Sequence, residues 1–159
     1  MPIHTHSIPE APATTGAAVT PIAFARTIAA AYRRAGRDPS GVLQLAQIPP
    51  ALLQEADGRM TARQMELLSG TAMQELDDEG LGAFSRRLPW GSYGMLARAS
   101  LSAPDLGVAL KRWCRHHGLL TGDIRLSVVS AGPQAAIVID EHADLGAARE
   151  FTLVHVLRN

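Results

Sequence analysis

Gly91-Ser92-Tyr93-Gly94-Met95-Leu96, followed by Leu101-Ser102-Ala103-Pro104-Asp105-Leu106-Gly107-Val108-Ala109-Leu110, is the stretch whose reading decides the fold. Residues 93–101 predict a glycine-punctuated helix. Residues 102–105 break it with serine, proline and aspartate, which cap a second helix over 106–119. Leu106, Ala109, Leu110, Trp113, His117 and Leu120 recur at helical spacing and predict one inward wall. Lys111, Arg112, Arg115 and His116 fall mainly on the other side.

Beyond this helix the apolar period changes from about 3.6 residues to 2. Ile124, Leu126 and Val128 alternate with Arg125 and Ser127, Gly132-Pro133 marks a turn, and residues 135–139 form a return strand. The return strand is apolar on both faces, which predicts cover on both sides. Residues 145–157 read as a final helix with Phe151, Leu153, Val154, Val156 and Leu157 around most of its circumference, a pattern that expects burial. A two-stranded hairpin rarely stands alone, and Arg158-Asn159 brings neither a C-cap glycine nor a polar tail. The reading is a domain that continues past the last residue; cover by dimerisation or by the Met65 helix is the alternative.

Upstream, residues 1–19 are rich in Pro, Ala, Thr and Ser and predict a disordered leader. Thr20-Pro21 reads as a helix start with the threonine hydroxyl as cap, followed by Ile22, Ala25, Ile28, Ala29 and Tyr32 at helical spacing and Gly36 as C-cap. Asp38-Pro39 opens a short helix through Val42, Leu43 and Leu45, and Pro49-Pro50 ends it. Thr61 and Gln64 form a capping box ahead of a stripe of Ala62, Met65, Leu68, Ala72, Met73 and Leu76. Asp77-Asp78-Glu79 and Gly80 close that helix, and a short helix is expected over 81–87. The class is α+β: a mainly helical N-terminal part, then a β-hairpin and a C-terminal helix, with residues 20–159 as one domain.

With 159 residues, 47% of them hydrophobic, the chain can bury a core. Fifteen basic residues balance fifteen acidic ones and the isoelectric point is near 7.0, which argues against a nucleic-acid surface on this segment. Cys114, the sole cysteine, forms no intramolecular disulfide and points to a reducing compartment. Residues 1–19 lack the basic and apolar regions of a secretory signal, and no apolar run has the length of a bilayer. The expectation is a cytoplasmic protein with no membrane partner.

No catalytic constellation is legible. His116 and His117 are neighbours, so on a helix they point about 100° apart and cannot share one ion. His4 and His6 lie in the leader. Asp140, Glu141, His142 and Asp144 carry metal-friendly groups but lack a second cluster to complete a site. Cys114 has arginines nearby but no positioned base or oxyanion site. No metal, no cofactor and no enzyme activity is therefore expected. Trp90, Tyr93 and Trp113, with His117 on the apolar wall, are the candidate ligand-binding residues; the same types serve equally as core.

The order Gly91-x-Tyr93-Gly94-x-Leu96, Leu101-Ser102-x-Pro104-x-Leu106-Gly107-x-Ala109-Leu110 and the helix to Leu119-Leu120 resembles the N-terminal effector-binding ("arabinose-binding") domain of AraC/XylS-type transcription regulators. The similarity extends upstream through Ile48-Pro49-Pro50-Ala51-Leu52-Leu53 and Met60-Thr61, and downstream through residues 123–139. The resemblance implies a cytoplasmic regulator whose N-terminal domain binds a small-molecule effector and forms a homodimer. DNA is bound in that family by a C-terminal domain with two helix-turn-helix motifs, which this sequence does not contain. The expectation is thus a truncated sensor fragment. A free-standing helical interaction module without effector is the alternative.

Overall fold

A computed structural model describes residues 12–158. In order it contains β1 (Ala18–Pro21), α1 (Ile22–Arg34), α2 (Ser40–Leu45), β2 (Arg59–Thr61), α3 (Ala62–Glu75), α4 (Ser92–Ser100), α5 (Leu106–Leu120), β3 (Ile124–Ala131), β4 (Gln134–Glu141) and α6 (Arg149–Arg158), with single 3-10 turns at Leu52–Gln54 and Gly146–Ala148. Six helices and two antiparallel strand pairs make the fold α+β.

The buried side chains form two clusters. The first joins α1, α2 and α3 through residues such as Ile22, Ile28, Tyr32, Val42, Met65 and Leu68. Its edges are fixed by polar groups the sequence supplies. Thr61 Oγ1 accepts from the Gln64 amide at 3.1 Å and Gln64 Oε1 accepts from the Thr61 amide at 2.9 Å, so the capping box is present. The second cluster joins α5, the β3–β4 hairpin and α6 through Cys114, Ile124, Leu126, Leu145 and Val156. Helix α6 belongs to both, since Phe151 packs in the first and Val156 in the second.

The hairpin register pairs Leu126 with Ile139 and Val128 with Ile137, which places these four on one face. That face meets α5 and α6. Arg125, Ser127 and Val129 pair with Asp140, Val138 and Ala136 on the other face.

Five expectations need correction. Thr20 does not cap α1: Ala18–Pro21 is a strand that pairs with Arg59–Thr61, and the N-cap position falls on Pro21 with no side-chain bond. Residues 18 and 19, read as part of the leader, belong to that strand, with Ala18 opposite Thr61 and the register shifting at Val19; Ala13 is 2% exposed, and residues 1–11 lie outside the described part. Residues 81–87 form turns and bends rather than a helix: Leu81 and Gly82 both sit at positive φ, and the Ser85 amide donates to the Asp123 carboxylate instead of to a carbonyl one turn back. Strand β4 is not covered on both faces: Ile137 and Val138 remain 41% and 37% exposed among the described residues. On α6, Val154 and Leu157 are open, while Thr152 and His155 take the inner positions.

Candidate ligand-binding site

Helix α4 starts at Gly91, which sits at φ 94° in the left-handed region that glycine tolerates. With no side chain of its own to cap the helix, α4 borrows one. The Glu79 carboxylate accepts from the Gly91 amide at 2.9 Å and from the Tyr93 amide at 2.7 Å. A carboxylate at a helix N-terminus is favoured both by the free N–H groups and by the helix dipole. The neighbouring Asp78 carboxylate accepts from Gly80, Gly82 and Leu88. Both acids are only 5% exposed, and charge-assisted bonds to backbone amides are what makes that burial tolerable. Leu81, at φ 51°, adopts an uncommon conformation inside this bonded loop.

Fixing the start of α4 fixes Tyr93. Its ring stacks on Trp113 of α5, with centroids 5.9 Å apart and planes 16° from parallel. It also lies 5.9 Å from the His117 ring, tilted by 36°, and Phe84 meets His117 edge-on at 6.4 Å. Asp105 caps α5 by accepting from the Val108 amide at 2.8 Å, which sets the rotation of that helix.

His117 is fully buried. Burial alone lowers its pKa from the ordinary 6.5 to about 4, so the imidazole is neutral at physiological pH. Its Nε2 stands 3.5 Å from the Tyr93 hydroxyl, a long contact whose direction depends on the tautomer, and its Nδ1 has no partner. Burial, with Glu79 and then Asp78 adding repulsion to the phenolate, pushes the Tyr93 pKa up, so this hydroxyl also stays neutral. Cys114, buried one position beyond Trp113, has its thiol pushed up by burial as well, opposite to the activation a nucleophile needs.

Trp113 is the member of this cluster that reaches a cavity. Together with Leu110, Leu126, Ile137, Val156 and Leu157 it lines a depression of about 240 Å³ between α5, the hairpin and α6. The lining side chains are all apolar, with the Tyr93 and His117 rings next to the indole and each other. Such a surface accommodates an apolar or aromatic group.

Of the four residues singled out from sequence, Tyr93, Trp113 and His117 come together. Trp90 does not join them. It is 50% exposed, and its amide is tied to the Asp77 carboxylate at 3.0 Å.

Three residues of this neighbourhood escaped the sequence reading: Asp78, Glu79 and His155. The acidic run was read as a helix terminator, yet a carboxylate pair followed by Gly80 and Leu88-Pro89 was an available sign of a side-chain-bonded loop. His155 is 4% exposed and stacks on Phe151 at 5.2 Å. Its Nε2 lies 2.8 Å from the Glu79 carbonyl, so Nε2 carries the hydrogen and donates. Burial lowers its pKa too. No group of three or more His, Cys, Asp or Glu suited to a metal ion occurs among the described residues. None of their helices is long and apolar enough to cross a membrane.

Comparison with known proteins places these features in context. Residues 36–159 match the family described as the arabinose-binding domain of AraC transcription regulator, N-terminal. The chain is also similar to an ornithine utilization regulator of Pseudomonas aeruginosa, 25% identical over 136 residues. That match takes in 85% of this chain and 40% of the regulator, so the chain spans about two-fifths of that relative's length.

Proposed function

Since the chain belongs to the family of N-terminal arabinose-binding domains of AraC transcription regulators, we propose that it is the small-molecule-sensing and dimerisation region of such a regulator. The observation that carries the sensing role is the apolar depression walled by Trp113 and backed by the stacked Tyr93 and the neutral His117. An effector seated there touches α5, the hairpin and α6 at once. It regulates only if it binds one arrangement of these elements more tightly than another. Zero net charge on this chain fits a division of labour in which DNA is gripped by another part of the full regulator. The protein acts in the cytoplasm, where its DNA target lies.

The test uses the full-length regulator carrying Trp90→Phe, which leaves Trp113 as the sole tryptophan of this region. Amino acids, sugars, fatty acids and aromatic acids are screened by thermal shift, because a ligand of the native state raises stability by mass action. The name of the Pseudomonas relative puts ornithine and related amino acids first in the screen. The expected hit stabilises the protein, changes Trp113 emission and alters dimerisation and operator occupancy. A stabilising compound that leaves Trp113 emission unchanged refutes this placement, and no hit in any class refutes the sensing role. A protein-interaction module without effector gains from the exposure of Leu101, Leu106 and Leu119, at 81%, 73% and 74%. That reading predicts no hit, together with capture of a defined partner lost on Leu106→Asp.

A further inference from the structure

The 100° spacing of helical residues puts Glu150, Phe151, Val154, His155 and Arg158 on the side of α6 opposite Val156. That side opens on a second concavity, a groove of about 430 Å³. Its apolar surface comes from Val19 of β1, Phe24 of α1, Met65 of α3, and Phe151 and Val154 of α6. The volume lies in the range of small-molecule sites. Val19 and Val154 leave 64% and 46% of their surface open, so among the described residues this apolar lining is only partly packed.

Two charged residues line the same groove, Glu150 and Arg158. Neither has an ion pair or hydrogen bond with another described residue. Eight helical residues separate them by about 12 Å along the axis, beyond the screening length of physiological salt, so they do not neutralise each other. Each stands at the end of α6 that its charge favours through the helix dipole. That accounts for their stability on the helix, but not for both opening onto one apolar groove.

The complement of this surface is a molecule with a carboxylate at one end, an ammonium at the other and methylenes between. A guanidinium takes a carboxylate through two parallel hydrogen bonds, a carboxylate takes an ammonium, and Phe24, Met65 and Phe151 take the chain. A fatty acid satisfies Arg158 but leaves Glu150 against its tail. An α-amino acid with an apolar side chain carries both charges on one carbon and meets one end only. We propose that the groove between β1–α1–α3 and α6 binds a linear aliphatic zwitterion of the ω-amino acid class, with Arg158 holding its carboxylate and Glu150 its ammonium. This site is separate from the Trp113 depression and does not depend on it.

Isothermal titration and thermal shift of the full-length regulator with γ-aminobutanoate, δ-aminopentanoate and ε-aminohexanoate test the proposal. Pentanoate and pentylamine serve as single-charge controls. At least one of the ω-amino acids is expected to bind, each single-charge control at least ten-fold more weakly. Glu150→Gln and Arg158→Gln are each expected to weaken binding at least ten-fold. Both side chains are exposed, and unchanged circular dichroism verifies that the variants fold. Trp113→Leu is expected to leave the affinity within two-fold. The proposal is overturned if no ω-amino acid binds, or if a single-charge control binds equally well. It is also overturned if either charge can be removed without effect, or if Trp113→Leu abolishes binding.

Discussion

Replacing His117 by leucine tests the reading of the aromatic cluster most directly. The imidazole is fully buried, its Nδ1 has no partner and its Nε2 meets Tyr93 only at 3.5 Å. An unsatisfied buried polar atom costs about 1–3 kcal/mol, so an apolar side chain of similar volume is expected to be neutral or stabilising at pH 7. The pH dependence gives the stronger signature. The folded-state pKa is about 4 against 6.5 in the unfolded chain, so the unfolded state binds the proton first. This contribution is intact above pH 6.5, falls as pH drops toward 4, and is wholly lost only below both values, a difference of about 3 kcal/mol. Between pH 7 and pH 5 the expected loss is about 2 kcal/mol. With a urea slope of about 2 kcal/mol per molar, the midpoint moves down by about 1 M. His117→Leu removes this component and leaves all others, including that of His155, in place. Urea titrations of both proteins at pH 7, 6 and 5, followed by circular dichroism, read the difference. Parallel midpoint curves, or a leucine variant several kcal/mol weaker at pH 7, refute the account.

Glu79→Gln replaces a carboxylate that accepts from two amides by a group with one acceptor oxygen. A loss of about 1.5–3 kcal/mol is expected, seen as a lower urea midpoint and faster amide exchange at Gly91 and Tyr93. Thr61→Ala deletes the α3 cap and the hydroxyl bond to the Ala13 carbonyl; about 1 kcal/mol is expected from the cap alone. Gly58→Ala drives a methyl group to 2.9 Å from Ile22 Cγ2 and 3.2 Å from Leu52 Cδ1. Overpacking of this kind costs about 1–3 kcal/mol, and a thermal midpoint equal to that of the parent refutes the close approach.

The helices and the hairpin were legible because their signals are local. The Thr61–Gln64 box, the break at residues 102–105 and the alternation from Ile124 to Val128 each sit within a few residues of the element they specify. Strand β1 was illegible for the opposite reason: four residues become a strand only because Arg59–Thr61, far along the chain, lies beside them. The Asp78 and Glu79 loop was hidden in the same way, since a carboxylate run reads as solvated until its amide partners at Leu88, Gly91 and Tyr93 are in place. The candidate site was half visible. Helical spacing put Trp113 and His117 on one wall, and Tyr93 joined them across α4. Trp90 has the right chemistry but lies at a turn, where spacing says nothing about direction.

Glu79 has a consequence for how the molecule comes apart. Its carboxylate holds α4, its carbonyl accepts from His155 of α6, and its amide donates to the Leu88 carbonyl. Helix α6 in turn contributes to both hydrophobic clusters. A fluctuation that peels α6 away therefore breaks the His155 bond and uncovers both clusters together. The protein then has no cheap partial opening along that line. The amides of α4 and those around Phe151 are expected to exchange with solvent as a single cooperative unit, at the free energy of global unfolding rather than below it.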